Sequence, residues 1–105
     1  MSSFKNVSIV KEANIYFEGN VTSRTVEFED GTTKSLGVML PGEYRFNTGD
    51  AEVMDIYSGK LEIKYAHSDS FIAMHAPCVF EVDANTHFDV KVKTITDYCC
   101  SYIKH

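Results

Sequence analysis

One carboxylate, Glu52, stands out because it interrupts an apolar segment. The residues that follow it, which favour an extended strand, are Val53, Met54, Ile56 and Tyr57. A carboxylate on such a strand must face a cavity or a partner, and it needs hydrogen bonds there because an unpaired buried charge is costly. Glu52 is therefore the candidate catalytic residue, and its role depends on what shares its cavity.

The other nucleophiles and bases form no familiar catalytic motif. The chain has no GxSxG, P-loop, GxGxxG or HExxH pattern. Cys78 follows His75 by three residues, and on a strand this spacing puts the two side chains on opposite faces. That favours a buried or edge thiol over a nucleophile. His67 lies in a polar turn and His105 is the last residue, so neither predicts a site.

Composition and charge narrow the class of protein. The 105 residues are enough for one domain and too few for two. A hydrophobic fraction of 44%, with seven Phe and six Tyr, is typical of a globular protein rich in strands. The net charge is −5 and no basic run occurs. We therefore expect no nucleic-acid partner, since nucleic-acid binders need a positive face.

Cysteine usage and the N-terminal sequence predict the compartment. The three cysteines are an odd number and form no CxxC motif. The first residues contain no apolar run long enough for a signal peptide or a membrane span. These features predict a cytoplasmic protein with reduced thiols and no membrane partner.

Period-two patterns between turn signals predict strands along most of the chain. Asp30-Gly31 separates Val21–Glu29 from Thr32–Leu40, which is typical of a tight hairpin. Apolar and charged residues alternate in residues 61–65 and again in residues 88–93. No window of 11 residues has a helical period, so the pattern favours a β-sandwich or barrel.

The two ends of the chain differ in their predicted roles. Residues 1–13 form a leader that either adds an edge strand, packs on a partner or is a partly ordered tail. Residues 14–105 form the predicted β-barrel domain. Its last strand is expected to place alternate residues on opposite faces: Tyr98, Cys100 and Tyr102 on one, and Cys99, Ser101 and Ile103 on the other.

Two stretches of sequence carry a family resemblance. They are GVMLPGEYRF at residues 37–46 and EVMDIYSG at residues 52–59, flanked by NIYFEG and TDYCCSY at residues 14–19 and 96–102. In these segments the chain resembles the small cupin-type pyrimidine/purine nucleoside phosphorylases of bacteria. The resemblance implies an all-β single domain, a cupin-like double-stranded β-helix barrel of two antiparallel sheets. It also implies a homodimer through an isologous contact between sheets.

The resemblance implies an activity as well. Such an enzyme is a pentosyltransferase that splits purine and pyrimidine nucleosides with inorganic phosphate, giving ribose 1-phosphate and a free base. The chemistry needs a phosphate beneath the anomeric carbon, stabilisation of positive charge on the ribose ring, and help for the departing base. Phosphate is a co-substrate and no cofactor is expected. A pocket that binds the base by stacking accepts many bases, so we expect broad base tolerance.

The usual metal ligands of a cupin are largely missing. Such sites take two His and a Glu from a first motif and one His from a second. Glu52 keeps the carboxylate of the first motif, but residues 44–48 contain no His. Phe88 occupies the His position of the second motif, and the adjacent His87 points to the other face. We therefore expect no metal.

The predicted site combines residues that match the family with three cations from outside the match. Glu52 is expected to hold ribose hydroxyls or to stabilise the cationic ring. Side chains that can stack a base, each otherwise a core residue, are Tyr44, Phe46, Met54, Phe88, Tyr98 and Tyr102. Candidate phosphate ligands are cations and hydroxyl groups, each otherwise a surface residue: Arg24, Lys34, Arg45, Ser35 and Thr48.

One departure from the family favours another function. Ser101 stands where family members often carry an Arg. If that Arg binds phosphate, activity is weak here or another cation serves. The missing Arg and the lack of a compact catalytic motif favour a non-catalytic cupin that binds a small ligand or metabolite. A structural or interaction module is the third hypothesis.

Overall fold

The computed structural model describes residues 2–103 of the chain. Met1, Lys104 and His105 lie outside the described residues. The predicted start of the leader at residue 1 and the predicted end of the domain at residue 105 therefore lie outside them as well. Between residues 2 and 103, no helix has the length and apolar character needed to cross a membrane. The regular structure there is eleven strands and one short 3-10 turn.

The strands cover most of the described chain. In chain order they are β1 (Ser8–Ile9), β2 (Asn14–Tyr16), β3 (Val21–Glu27), β4 (Thr33–Met39), β5 (Gly42–Asn47), β6 (Ala51–Ser58), β7 (Lys60–Tyr65), β8 (Ile72–His75), β9 (Cys78–Val82), β10 (His87–Val92) and β11 (Thr96–Ile103). The 3-10 turn, Phe17–Gly19, follows β2 directly.

These strands form two antiparallel sheets, which confirms the predicted all-β class. Sheet 1 has the order β1-β3-β4-β11-β6-β9, with β2 also paired to β3. Sheet 2 has the order β5-β10-β7-β8. After β4 the chain passes repeatedly from one sheet to the other, so the inner faces of both sheets enclose one hydrophobic core.

The predicted alternation holds in the strands that build this core. Leu61 and Ile63 of β7 and Val90 and Val92 of β10 are buried, whereas the charged residues between them are not. The predicted hairpin connects β3 to β4. Its turn is closed by the carboxylate of Asp30, which accepts hydrogen bonds from the backbone N–H and the hydroxyl of Thr32.

Part of the leader lies against the outer face of sheet 1. Ser8–Ile9 pairs with the end of β3 and is therefore an edge strand. The Phe4 ring meets the Phe28 ring edge-on, at 5.2 Å between centroids. The ammonium group of Lys34 lies 5.6 Å from the centre of the Phe4 ring. This segment thus covers a portion of an otherwise open sheet face.

Gly59 sits at a turn where the chain leaves sheet 1 for sheet 2. Its φ is +112°, a conformation that other residues rarely adopt. A Cβ there would lie 2.5 Å from the Thr96 hydroxyl and 2.8 Å from the Ile95 carbonyl. The close approach of β11 to this turn therefore requires glycine.

Candidate functional site

A cavity of about 130 Å³ lies between the inner faces of the two sheets. Side chains from β2 to β6, β10 and β11 line it: Tyr16, Ser23, Ser35, Met39, Phe46, Asn47, Glu52, Met54, Phe88, Tyr98, Cys100 and Tyr102. Strands of sheet 1 supply most of the polar groups, and sheet 2 supplies two aromatic rings. The sheet 1 wall therefore carries most of the polar groups, and the sheet 2 wall is mainly aromatic.

The apolar wall is built around two phenylalanines. Phe46 of β5 and Phe88 of β10 are register partners, and their rings stack at 5.4 Å between centroids with planes 28° apart. Met54 of β6 and Met39 of β4 add apolar lining from sheet 1. Such a surface can hold a planar ring by stacking and by contact with thioether sulfur.

The polar wall follows from the register of β11 with its neighbours. Tyr102 pairs with Glu52 of β6, and Cys100 pairs with both Met54 of β6 and Ser35 of β4. All these side chains face inward because they lie on the same phase of the pleat. Ser35 Oγ and Tyr102 Oη share a hydrogen bond of 2.8 Å. Hydroxyl groups, a thiol and a carboxylate thus meet on one patch of sheet 1.

Burial raises the pKa of the Glu52 carboxyl above its ordinary value. A hydrogen bond with Cys100 acts in the opposite direction, and the nearby Asp50 carboxylate adds to the rise. Burial also raises the pKa values of Tyr98, Tyr102 and Cys100. Those three groups therefore keep their protons at neutral pH and remain hydrogen-bond donors.

Further polar groups lie near Tyr98. Tyr98 lines the cavity together with Ser23, whose hydroxyl accepts a 3.2 Å hydrogen bond from the side-chain amide of Asn14. The Tyr98 ring lies over Gly37, where an added Cβ would come within 2.9 Å of the ring carbon Cζ. Glycine at this position leaves the space that the Tyr98 ring occupies.

The cavity brings together seven of the predicted site residues. Those that line it are Ser35, Phe46, Glu52, Met54, Phe88, Tyr98 and Tyr102. Tyr44 is buried beside the cavity without lining it, because its hydroxyl donates a 2.6 Å hydrogen bond to the Leu40 carbonyl. The Tyr44 and Phe46 rings are 6.3 Å apart, so Tyr44 supports the apolar wall from behind. The functional roles assigned to these residues stay predictions.

The other predicted phosphate ligands lie away from the cavity. Arg24 is exposed on β3, one residue from the inward-facing Ser23 and so on the other face. Arg45 is exposed on β5 and forms an ion pair of 2.7 Å with Asp89. Lys34 contacts the leader, as described above. Thr48 is buried in a loop, where its hydroxyl donates to the Asp83 carbonyl at 2.7 Å and accepts from the Thr86 N–H at 3.0 Å.

Several cavity residues were not predicted to belong to the site. They are Tyr16, Ser23, Met39, Asn47 and Cys100. The sequence could have identified Cys100 as a cavity residue, because it lies between Tyr98 and Tyr102 on the same phase of β11. Ser23 and Asn47 are small polar residues whose sequence neighbourhood gives no such signal. The cavity lining described here contains no Lys, Arg or His.

The described part of the chain also limits where a metal could bind. Within residues 2–103, no three or more His, Cys, Asp or Glu side chains are grouped so that they could hold an ion. Phe88 occupies the inner position of β10, and its ring packs in the core. A cavity with one carboxylate, hydroxyls and a thiol is suited to hydrogen bonding and charge stabilisation.

Comparison with known proteins extends these observations. The family model described as pyrimidine/purine nucleoside phosphorylase matches residues 11–102. A protein of that name from Sulfurimonas denitrificans is 57% identical over 104 residues, which cover 99% of this chain and 100% of the relative. A crystal structure of a protein of unknown function from an Acinetobacter species superposes with a TM-score of 0.92 at 38% identity, covering 96% of this chain and 98% of that one.

A more distant structure establishes the type of barrel. A cupin superfamily protein from Desulfitobacterium hafniense has a TM-score of 0.65 at 18% identity, covering 89% of this chain and 84% of that one. At this identity the likeness shows the fold alone, and it confirms the predicted cupin-like barrel. Together with the family match over most of its length, these relatives show that the chain belongs to the pyrimidine/purine nucleoside phosphorylase family.

Proposed function

We propose that the chain is a pentosyltransferase that cleaves purine and pyrimidine nucleosides by phosphorolysis, giving ribose 1-phosphate and a free base. The observation that carries the proposal is the two-sided cavity. It sets the Glu52 carboxyl across from an aromatic wall formed by Phe46 and Phe88. Family membership supports the same reaction, since relatives such as that of Sulfurimonas denitrificans are named for it.

The two walls suit the two halves of a nucleoside. A base stacks on the Phe46–Phe88 wall, and stacking favours no particular base because every base has a π-face. Sugar hydroxyls face the polar wall. When the N-glycosidic bond breaks, its electron pair leaves with the base and the ribose ring becomes positively charged. The ionised Glu52 carboxylate stabilises that charge while a phosphate oxygen bonds to the anomeric carbon.

Ser35 is the phosphate candidate that we retain, because its hydroxyl lines the cavity beside Tyr102. Arg24, Arg45 and Thr48 are left out of the proposed site, since their side chains lie on outer faces or in a loop. With no cation in the described lining, phosphate is held by hydroxyl and amide donors. A nucleoside is larger than the present cavity, so its entry requires the exposed Tyr16 at the rim to move.

The proposed reaction uses no metal. A lone carboxylate binds a transition metal weakly. The positions that carry His in a metal-binding cupin are occupied here by Phe88 and by residues 44–48, which include no His. Elemental analysis of the purified protein should find less than stoichiometric metal, and a chelator should leave the rate unchanged. One zinc or iron per chain, lost together with activity, would contradict this.

We also place the reaction in the cytoplasm. Cys78, Cys99 and Cys100 are free thiols in the structure, which fits a reducing compartment.

A direct assay tests the proposed function. The protein is incubated with uridine or adenosine, with phosphate and with sulfate in its place, and free base and ribose 1-phosphate are measured. We expect base release only with phosphate, in equal amounts with the sugar phosphate, and for both classes of base. Release that does not need phosphate would indicate hydrolysis instead.

The rival function is a non-catalytic barrel that binds a small ligand. The small cavity and its lack of a cation favour this rival. Thermal-shift and calorimetric titrations with nucleosides separate the two. Saturable binding without base release across several nucleosides would support the binder and overturn the enzyme.

A further inference from the structure

A row of four paired residues crosses the inner face of sheet 1. Asn14 of β2 pairs with Ser23 of β3, which pairs with Gly37 of β4. Gly37 pairs in turn with Tyr98 of β11. Ser23 and Tyr98 both line the cavity, with only 4% and 6% of their surfaces exposed. The row therefore brings two buried hydroxyl groups to the cavity.

The glycine in this row lets the two hydroxyl-bearing side chains approach each other. A Cβ at Gly37 would lie 2.9 Å from the Cβ of Ser23 and 2.9 Å from the Cζ of Tyr98. Because Cζ is the ring carbon that bears the hydroxyl group, the ring extends across β4 toward Ser23. The two side chains thus meet above Gly37.

Both hydroxyl groups are available as hydrogen-bond donors. The Asn14 amide donates to Ser23 Oγ at 3.2 Å and to Thr25 Oγ1 at 3.2 Å, so the hydrogen of Ser23 is directed elsewhere. Burial raises the pKa of Tyr98, and the phenol therefore keeps its proton. Among the hydrogen bonds that join residues 2–103, the Ser23 side chain is only an acceptor and the Tyr98 side chain takes part in none. An acceptor for both hydrogens can therefore lie in the cavity.

A site made of donors suits a group that is rich in acceptors. A tetrahedral oxyanion is such a group, and a hydrogen bond to a charged oxygen is stronger than one to a neutral oxygen. Ribose hydroxyl groups have protons to donate, so they suit the Glu52 carboxylate instead. Glu52 pairs with Tyr102, which is about 13 Å along β11 from Tyr98. This separation weakens the repulsion between the carboxylate and a bound anion.

We propose that Ser23 and Tyr98, held beside each other above Gly37, bind inorganic phosphate by donating their hydroxyl hydrogens to its oxygens. Asn14 is a positioning residue, because it contacts Ser23 and directs the hydrogen of that hydroxyl toward the anion. The identity of the anion rests on the proposed phosphorolysis. The pair adds to Ser35, which occupies the inward-facing position of β4 next to Gly37.

A phosphate ion can bind in this row before a nucleoside enters. The present cavity of about 130 Å³ has room for such a small ion, whereas a nucleoside requires Tyr16 to move. The row of donors is complete in the free protein. The affinity for phosphate can therefore be measured without turnover.

Three variants of the full chain and two controls test the proposal. Ser23→Ala and Tyr98→Phe each delete one donor, and Asn14→Ala removes the support. Ser101→Ala and Tyr57→Phe make the same chemical changes on the outward-facing phases of β11 and β6, so they are the matched controls. Calorimetric titration with inorganic phosphate, in the absence of nucleoside, gives the Kd of each protein. If Ser23→Ala does not fold, Ser23→Cys keeps the size with a weaker donor.

We expect Ser23→Ala and Tyr98→Phe each to raise the Kd for phosphate about tenfold, the usual order for losing a hydrogen bond to a charged group. Asn14→Ala should raise it about threefold, since the donor remains but loses its orientation. Both controls should bind as the wild type does. In steady-state phosphorolysis, the KM for phosphate should rise in the three variants while the KM for uridine changes little, a selectivity that general loss of structure would not produce.

Sulfate tests whether donors alone hold the anion. Donors bind either tetrahedral anion, so sulfate should compete with phosphate in the same titration. Binding of phosphate without competition by sulfate would indicate that an acceptor such as Glu52 contacts a proton of the anion, and it would overturn the assignment to Ser23 and Tyr98.

The remaining outcomes separate this inference from the function on which it rests. Selective loss of phosphate binding in a protein that cleaves no nucleoside would refute the phosphorylase and retain the anion site. An active enzyme in which Ser23→Ala and Tyr98→Phe bind phosphate as the controls do would overturn the site alone. Absence of phosphate binding to the free wild-type protein would overturn the site as well, because the row is complete without a nucleoside.

Discussion

At the scale of single residues, Glu52 combines two properties that conflict. Its carboxyl is partly buried, and burial raises its pKa, yet the proposed chemistry needs the charged form. Glu52→Gln keeps the shape and removes the charge. We expect the fold to persist and kcat to fall by roughly one to three decades, the range seen when one electrostatic group is deleted. Steady-state phosphorolysis with uridine measures the loss.

The same substitution should also change how the stability of the fold depends on pH. A carboxyl whose folded-state pKa is raised stabilises the fold below its ordinary pKa, and this contribution is lost as pH rises through the folded value. Glu52→Gln should therefore gain stability relative to wild type on going from acid to neutral pH. Glu62→Gln, on the outer-facing phase of β7, is the matched control for both measurements. Unaltered kinetics in Glu52→Gln would remove Glu52 from the mechanism.

At the scale of elements, the glycines decide how closely strands and turns approach. Gly59 has a positive φ and no room for a Cβ beside β11. Gly59→Ala should lower the free energy of unfolding by about 2 kcal/mol or more, through strain and a clash with Thr96 and Ile95. Urea denaturation measures the change.

Gly49 provides the control for this prediction. Nothing lies within 4 Å of a Cβ built there, and its φ is not in the left-handed region. Gly49→Ala should be neutral or slightly stabilising, by about 0.5 kcal/mol, because it restricts only the unfolded chain. Equal effects of the two substitutions would show that the β6–β7 turn does not require glycine.

At the scale of the whole molecule, the outer face of sheet 1 remains partly apolar. Exposed side chains there include Val38, Tyr57 and Val79, the last with 58% of its surface accessible. We expect an isologous homodimer through this face, since large exposed apolar patches usually mark an interface. Sedimentation at micromolar concentration should give about twice the mass of the 105-residue chain.

A charge on the proposed interface tests where the contact lies. Val79→Lys would place like charges near each other across a two-fold axis and should dissociate the dimer. Ile72→Lys adds the same charge at a similarly exposed position on sheet 2 and should leave it intact. A wild-type monomer at micromolar concentration would refute the dimer itself.

The pattern of apolar and polar residues was enough to predict the class of fold and the face of most side chains. Period-two alternation predicted that Phe88 and Val90 lie on one face of β10, because a strand turns successive side chains to opposite sides. The apolar surroundings of Glu52 likewise predicted that its carboxyl faces a cavity or a partner. These are local properties, set by the backbone and by the cost of burying a charge.

Which strand faces come into contact depends on long-range pairing, which the local pattern does not contain. Arg24 was a candidate phosphate ligand from its sequence and Ser23 was not, but the pairing of β3 in sheet 1 turns Ser23 into the cavity and Arg24 outward. The place of Cys100 beside Glu52 depends on the register of β6 against β11. Alternation along a strand determines which face of the sheet a side chain lies on. Long-range strand pairing and sheet packing determine which side chains it contacts there, and those contacts form the site.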